Sequence, residues 1–282
     1  MNNKKHVFTR NKQRHSEGTM IKKKNKMKSL TDLSTYQHID LFTSHHSPFT
    51  RKCAFTLAEV LITLGVIGVV AAMTIPTLMA KINHIKLKSQ FKEGYAILSQ
   101  AVKMANDDGW QIQSAESAKN FMNYFKGATL CNDKDKNSTH CIGRTEKDDN
   151  NSVSVTNRDY KYTNYAKNSK YVQTNAFDDF QFYLPNNMLI IIDMNIDSWG
   201  TYLITIDING KSGKPNALGH DVFTFGLKES EKTGGYELVP MGADGTYFSR
   251  EGYCSKSSTS GYNGLGCTYY AVQDETYFDK LP

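Results

Sequence analysis

Residues equipped for chemistry are few in this 282-residue chain, and their spacing matches no common catalytic pattern. Beyond residue 54 there are three histidines, His84, His140 and His220. His84 falls in a long helical stretch, His140 adjoins Cys141, and His220 precedes Asp221 at a strand start, where a turn residue is expected rather than a base. No GxSxG, phosphate-binding glycine loop or HExxH occurs. A non-enzymatic protein is therefore expected. Asp207 and Asn209 have the one-three spacing of oxygen ligands in a calcium loop. The match fails further on, where Lys211 takes the next ligand position and no glutamate closes the loop. A glycine-rich hairpin whose Asp and Asn cap turns accounts for the same residues. Of the five cysteines, four form close pairs, Cys131 with Cys141 and Cys254 with Cys267, and the fifth is Cys53. Zinc is disfavoured because separations of ten and thirteen residues lack the short Cys-x-x-Cys clamp. The remaining singular group is Glu59, a carboxylate inside an apolar run.

That run, Phe55 to Ile75, reads FTLAEVLITLGVIGVVAAMTI, and as far as Ala80 Glu59 is its one charge. At about 1.5 Å per residue it matches the roughly 30 Å hydrocarbon core of a bilayer. An ordinary core helix would show a polar stripe, and this one shows none. After Pro76, Leu87, Phe91, Tyr95, Leu98, Val102 and Ala105 recur at spacings of three and four, with Lys81, Lys86, Lys88, Lys92 and Lys103 between them. The helix is thus expected to leave the membrane and lay one face on a soluble domain, ending near Gly109. Pro76, Gly65, Gly68 and Gly94 are expected to bend it.

Further on, 115–125 reads as a short helix with Phe121, Met122 and Phe125 as its apolar side, and 144–175 as a long surface loop. Strands are expected at 188–193, 201–207, 220–227 and 236–239, paired antiparallel because their connections are short. The tyrosines are taken as ordinary strand and loop residues rather than an adhesive surface. Ahead of the apolar run, residues 1–54 hold 12 Lys and Arg against three Asp and Glu. The net +6 of the whole chain therefore leaves −3 for 55–282, with 22 basic residues against 25 acidic. Such a basic flank follows the positive-inside rule for a cytoplasmic segment, and nucleic-acid binding is not expected.

A secretory signal peptide carries its small-residue cleavage site after the apolar region. Here the small residue, Ala54, precedes it, following Arg51-Lys52-Cys53 and followed by Phe-Thr-Leu-Ala-Glu. These residues resemble the signature of type IV prepilins and type II secretion pseudopilins: a basic leader, a small residue, Phe-Thr-Leu-x-Glu and a hydrophobic helix. The resemblance covers about 25 residues and departs at Ala54, where glycine is usual. It implies that residues 1–54 are a cytoplasmic leader removed by a prepilin peptidase between Ala54 and Phe55, with N-methylation of Phe55. Met20 or Met27 are alternative starts to Met1. It further implies that 55–80 is a transmembrane and assembly helix, that 81–108 continues it amphipathically, and that 109–282 is a globular head. Glu59 and Pro76 then carry assembly roles. The fold class implied is α+β, a long N-terminal helix packed on a small antiparallel sheet.

Cleavage would discard Cys53 and leave an even count, so Cys131–Cys141 and Cys254–Cys267 are expected as disulfides in an oxidising compartment. The second resembles the C-terminal loop staple of type IV pilins. Some type II pseudopilins bind calcium in the head, so the resemblance also bears on Asp207 and Asn209; no other cofactor is implied. The implied partners are related pilin subunits, the peptidase, an inner-membrane assembly platform and lipid. The implied location is the inner membrane with the head extracytoplasmic, then a filament. Pilus or pseudopilus is left open, with the Asp-Ile-Asn-Gly…Pro-Asn…Asp-Val-Phe stretch of the head favouring the latter. Two rivals remain, a membrane-anchored binding or adhesion protein that does not polymerise and a tethered enzyme.

Overall fold

A computed structural model describes residues 55–131, 140–142, 162–168, 172, 176–177, 179–230 and 234–282 of the chain. Its first element, α1, is a single helix over Leu57–Asp107, 51 residues and thus about 77 Å long. It starts at Thr56, whose side chain accepts from the Glu59 N–H while Glu59 reaches back to the Thr56 backbone, a capping box. The helix runs unbroken through Pro76. It stops at Asp108 because Gly109 adopts φ +65°, letting its N–H bond the Asn106 carbonyl and the Trp110 N–H bond the Ala105 carbonyl. These two bonds make a Schellman motif that occupies carbonyls the helix would otherwise leave open.

The two halves of α1 have opposite environments. From 57 to 83 every residue is exposed except half-buried Ala71. From Leu87 on, Leu87, Phe91, Gly94, Leu98, Ala101, Val102 and Ala105 are buried along one face. This is the amphipathic stripe expected from sequence, save that Tyr95 is only partly covered and Gly94 is buried instead. Gly94 allows the sheet to approach: a Cβ there would stand 2.6 Å from the Ile206 Cδ1.

After α1 come a short helix α2, Ala115–Asn120, and a 3-10 turn, Phe121–Tyr124. The sheet follows: β1 Thr129–Leu130, β2 Phe180–Tyr183, β3 Leu189–Asp193, β4 Tyr202–Asp207, β5 Val222–Glu229 and β6 Tyr236–Pro240. All neighbours are antiparallel, and spatial order equals chain order. Alternation splits β2 to β5 between two cores. Ile190, Ile192, Ile204, Ile206, Phe223 and Phe225 face α1, where Phe91 lies with its ring centre 4.5 Å from that of Phe223 and 5.6 Å from that of Phe278. Leu189, Ile191, Leu203 and Val222 pack instead with Trp199, Met241, Phe248 and Leu265. Both faces are therefore covered, which is why β3 is a continuous apolar run rather than an alternating one.

The C-terminal part covers the sheet with two short helices, Arg250–Tyr253 and Thr268–Gln273, and two 3-10 turns. Cys131 is bonded to Cys141 and Cys254 to Cys267. The architecture is α+β, a long helix on an antiparallel sheet. One expectation needs correction. Residues 144–175 were expected to form a surface loop, but among the described ones Tyr162, Asn164, Tyr165 and Val172 are buried. Tyr165 joins the α1-side core, where its aromatic ring fills space that a loop of polar residues would have left to water.

Candidate functional site: the exposed apolar helix and its acidic first turn

The first half of α1 is an apolar cylinder that the head does not touch. Leu57, Leu61, Ile62, Leu64, Val66, Ile67 and Met73 are all more than half exposed. It is long and apolar enough to cross a membrane. Its polar side chains are internally satisfied. The hydroxyls of Thr63, Thr74 and Thr77 donate to the carbonyls of Val60, Val70 and Thr74 at 3.0, 3.0 and 2.8 Å. A hydroxyl tied to its own helix leaves no donor facing hydrocarbon. Pro76 lacks the N–H that would bond the Ala72 carbonyl, and it lies within this exposed half.

Glu59 is in the first turn. Its Oε2 accepts from the Thr56 N–H at 2.8 Å and from the Thr56 hydroxyl at 3.0 Å, and the Glu59 N–H donates to the Thr56 Oγ1 at 3.2 Å. An acidic group at this end also complements the helix dipole. The sequence pattern Thr-x-x-Glu announces this cap, which the assembly role expected for Glu59 does not include. Phe55 precedes the cap and is 84% exposed. Ala54, Cys53 and the rest of the leader lie outside the described residues.

The head holds a second group of interest. Asp207, at the end of β4, accepts from the Tyr162 hydroxyl and from the Asn209 N–H. It pairs across the strands with Val222, which brings Asp221 alongside. Asp221 accepts from the N–H groups of Asn216 and Ala217, each at 2.7 Å. Burial pushes Asp207 up to about 7, assisted by the Asp221 charge, and pushes Asp221 up to about 6. His220 beside them is held down to about 4 by burial, so it is neutral near pH 7. Its Nε2 lies 2.9 Å from the Tyr165 carbonyl.

Sequence reasoning singled out Asp207 and Asn209 as calcium ligands and missed Asp221. The donor types suit calcium, since the buried Oδ1 atoms of Asn209 and Asn216 have no hydrogen-bond partner. Against it, both carboxylates already receive protein donors. Among the described residues no three His, Cys, Asp or Glu gather around one point. The group fits a hydrogen-bonded carboxyl pair better than the six to eight oxygens calcium takes.

No protein-family model, curated protein or solved structure matches the chain.

Proposed function

We propose that this chain is a non-enzymatic filament subunit that polymerises through its N-terminal helix, in the manner of a type II secretion pseudopilus or a type IV pilus. One observation carries the reading: the apolar half of α1 stands wholly outside the head, while the same unbroken helix forms the spine of the head's core. Whatever packs the first half therefore fixes where the head stands. Lipid covers it before assembly, and neighbouring copies of the helix cover it afterwards. On this reading a prepilin peptidase cuts between Ala54 and Phe55 and methylates Phe55, and an inner-membrane platform inserts the subunit with its head extracytoplasmic.

The capping box favours a second reading, a membrane-anchored binding or adhesion protein. Glu59 serves its own helix, so even a plain anchor has use for it. Two variants separate the readings. Gln at the third helical position still completes a capping box, whereas Ala does not. A filament in which Glu59 pairs with a neighbour's terminal amine needs the charge. For it, E59Q should keep the wild-type level in the membrane fraction but lose roughly tenfold or more of sheared filaments, the loss of one buried charge pair. Wild-type filament yield from E59Q would remove the intermolecular role and leave the cap as the whole explanation. Intact-mass analysis of the same protein should show a chain beginning at N-methyl-Phe55. A chain still carrying its leader in cells with an active peptidase would refute the processing step.

A further inference from the structure

Where α1 enters the head, the base of the domain opens into a cleft of about 620 Å³. That size is within the roughly 300–1,000 Å³ of small-ligand sites. The helix lines it from Ala80 through His84 and Lys86 to Gln90, and the head supplies Lys167 and Lys214. Among the described residues, no aspartate or glutamate lines it. We infer that this cleft binds the phosphate of an anionic glycerophospholipid whose headgroup carries free hydroxyls, in the leaflet from which the helix emerges. The inference rests on the reading of the apolar half of α1 as a membrane span.

Three observations support it. The first is position. Ala80 ends the charge-free stretch, and at about 1.5 Å per residue His84 and Lys86 stand roughly 6 and 9 Å beyond it along the axis. The polar layer of a leaflet is roughly 5–7 Å thick, and helical side chains tilt back toward the N-terminus, here toward the lipid. Lysine stems reach along that direction while their ammonium groups stay with the phosphates.

The second is selective pairing. Two neighbouring helix lysines already share a carboxylate: Lys88 and Lys92 meet Glu275 at 2.7 and 2.9 Å. Further along, Lys103 meets Asp107 at 2.7 Å. Lys86 and Lys214, the two that flank the cleft, have no carboxylate within ion-pair distance among the described residues. The third lysine, Lys167, donates to the Pro282 carbonyl at 2.9 Å.

The third is an acceptor among the donors. The Oε1 of Gln90 is buried and no described donor reaches it, although it belongs to the cleft wall. A lipid phosphodiester carries no O–H for this atom, whereas the hydroxyls of a glycerol headgroup offer it a proton. A buried acceptor left unfilled is unfavourable, and turning the Gln90 amide into the cleft would let a headgroup hydroxyl fill it. A lipid is also held at high effective concentration by its acyl chains, which a dissolved anion is not.

The test uses the full chain in nanodiscs of equal phosphatidylglycerol and phosphatidylcholine, with co-released lipids counted by native mass spectrometry. Phosphatidylglycerol should be enriched on the wild-type protein. Each lysine near an anionic leaflet contributes a factor of roughly five in binding, so K86Q/K214Q should lose roughly tenfold or more of that enrichment. The control K88Q/K92Q removes two lysines that already have a partner and should keep it. An unchanged thermal unfolding curve shows that each variant is folded. Equal retention of the two lipids, or equal loss in both double variants, overturns the proposal. Displacement of the lipid by millimolar inorganic phosphate also overturns it, since the cleft would then be a site for free anions. Release of the protein from membranes by alkaline carbonate would remove the membrane reading itself, and the inference with it. That result is distinct from an integral protein without lipid preference.

Discussion

Two buried carboxyl groups, Asp207 and Asp221, titrate well above ordinary aspartate, and their linkage to stability has a definite sign. Both hold protons more tightly in the folded state, with values near 7 and 6, than free aspartate at about 3.9. The folded chain thus binds more protons than the unfolded chain across that interval. The stability this supplies is complete below about pH 4 and is lost as pH rises through the folded values. The full chain in detergent should therefore melt lower at pH 8 than at pH 5, by on the order of a few degrees. Asp207→Asn should flatten the dependence, because an amide can still meet the Tyr162 hydroxyl without a charge. If calcium restored the pH 8 value and a chelator reversed it, the corner of Asp207 and Asn209 would be a metal site. No response to either would leave protonation of the buried carboxyl groups as the explanation. Asp221 was invisible in sequence because its ligands are backbone N–H groups from a loop, which no side-chain spacing records. The Glu59 cap was fully written in Thr-x-x-Glu.

At the scale of elements, the joint between α1 and β4 offers a sharp test of packing. Replacing glycine by alanine inside a helix ordinarily gains about 1 kcal/mol. At Gly94 the added methyl would meet the Ile206 Cδ1 at 2.6 Å inside a filled core. Overpacking costs typically 1–3 kcal/mol, so Gly94→Ala is expected to destabilise the head by about 1 kcal/mol in chemical unfolding. Ile206→Val removes the opposing carbon. The double variant should then be clearly more stable than the sum of the two single effects, and strict additivity would show that the helix simply shifts. The elements were unequally legible. The strands β3 to β6 were readable because Leu189–Asp193 and Tyr202–Asp207 are dense in β-branched residues and lie close together. Two strands, β1 and β2, were not, because β1 is two residues long and β2 is separated from it by some fifty residues of polar chain. The C-terminal stop of α1 was readable from Gly109. The buried Tyr162 and Tyr165 were not, since their neighbours in sequence are Asn, Lys and Ser while their neighbours in space are Asp207 and Tyr277.

At the scale of the whole molecule, the two regimes of α1 predict where the chain can be cut. No described residue before Leu87 belongs to either core. A chain beginning at residue 81 should therefore remain a soluble monomer with a cooperative thermal transition within a few degrees of that of the full chain. Aggregation, or loss of the transition, would show that the head depends on the exposed apolar half of α1. The sheet carries a further consequence, in the order of its strands. Each strand lies beside the one that preceded it in the chain, so a polypeptide emerging N-terminus first finds every new strand's partner already in place. Threading past unmade neighbours is not required, and the strand pairings beyond β2 close short loops, the inexpensive kind in chain entropy. The slow remaining step is the last one. The tail from Cys254 to Phe278 must return to Phe91 and Phe223, far behind it in sequence, and until it does the α1-facing aromatic core lies open on that side. A protease that meets the chain before the tail docks should therefore find a paired sheet with one end unlatched, and the latch is the stretch from Cys254 to Phe278.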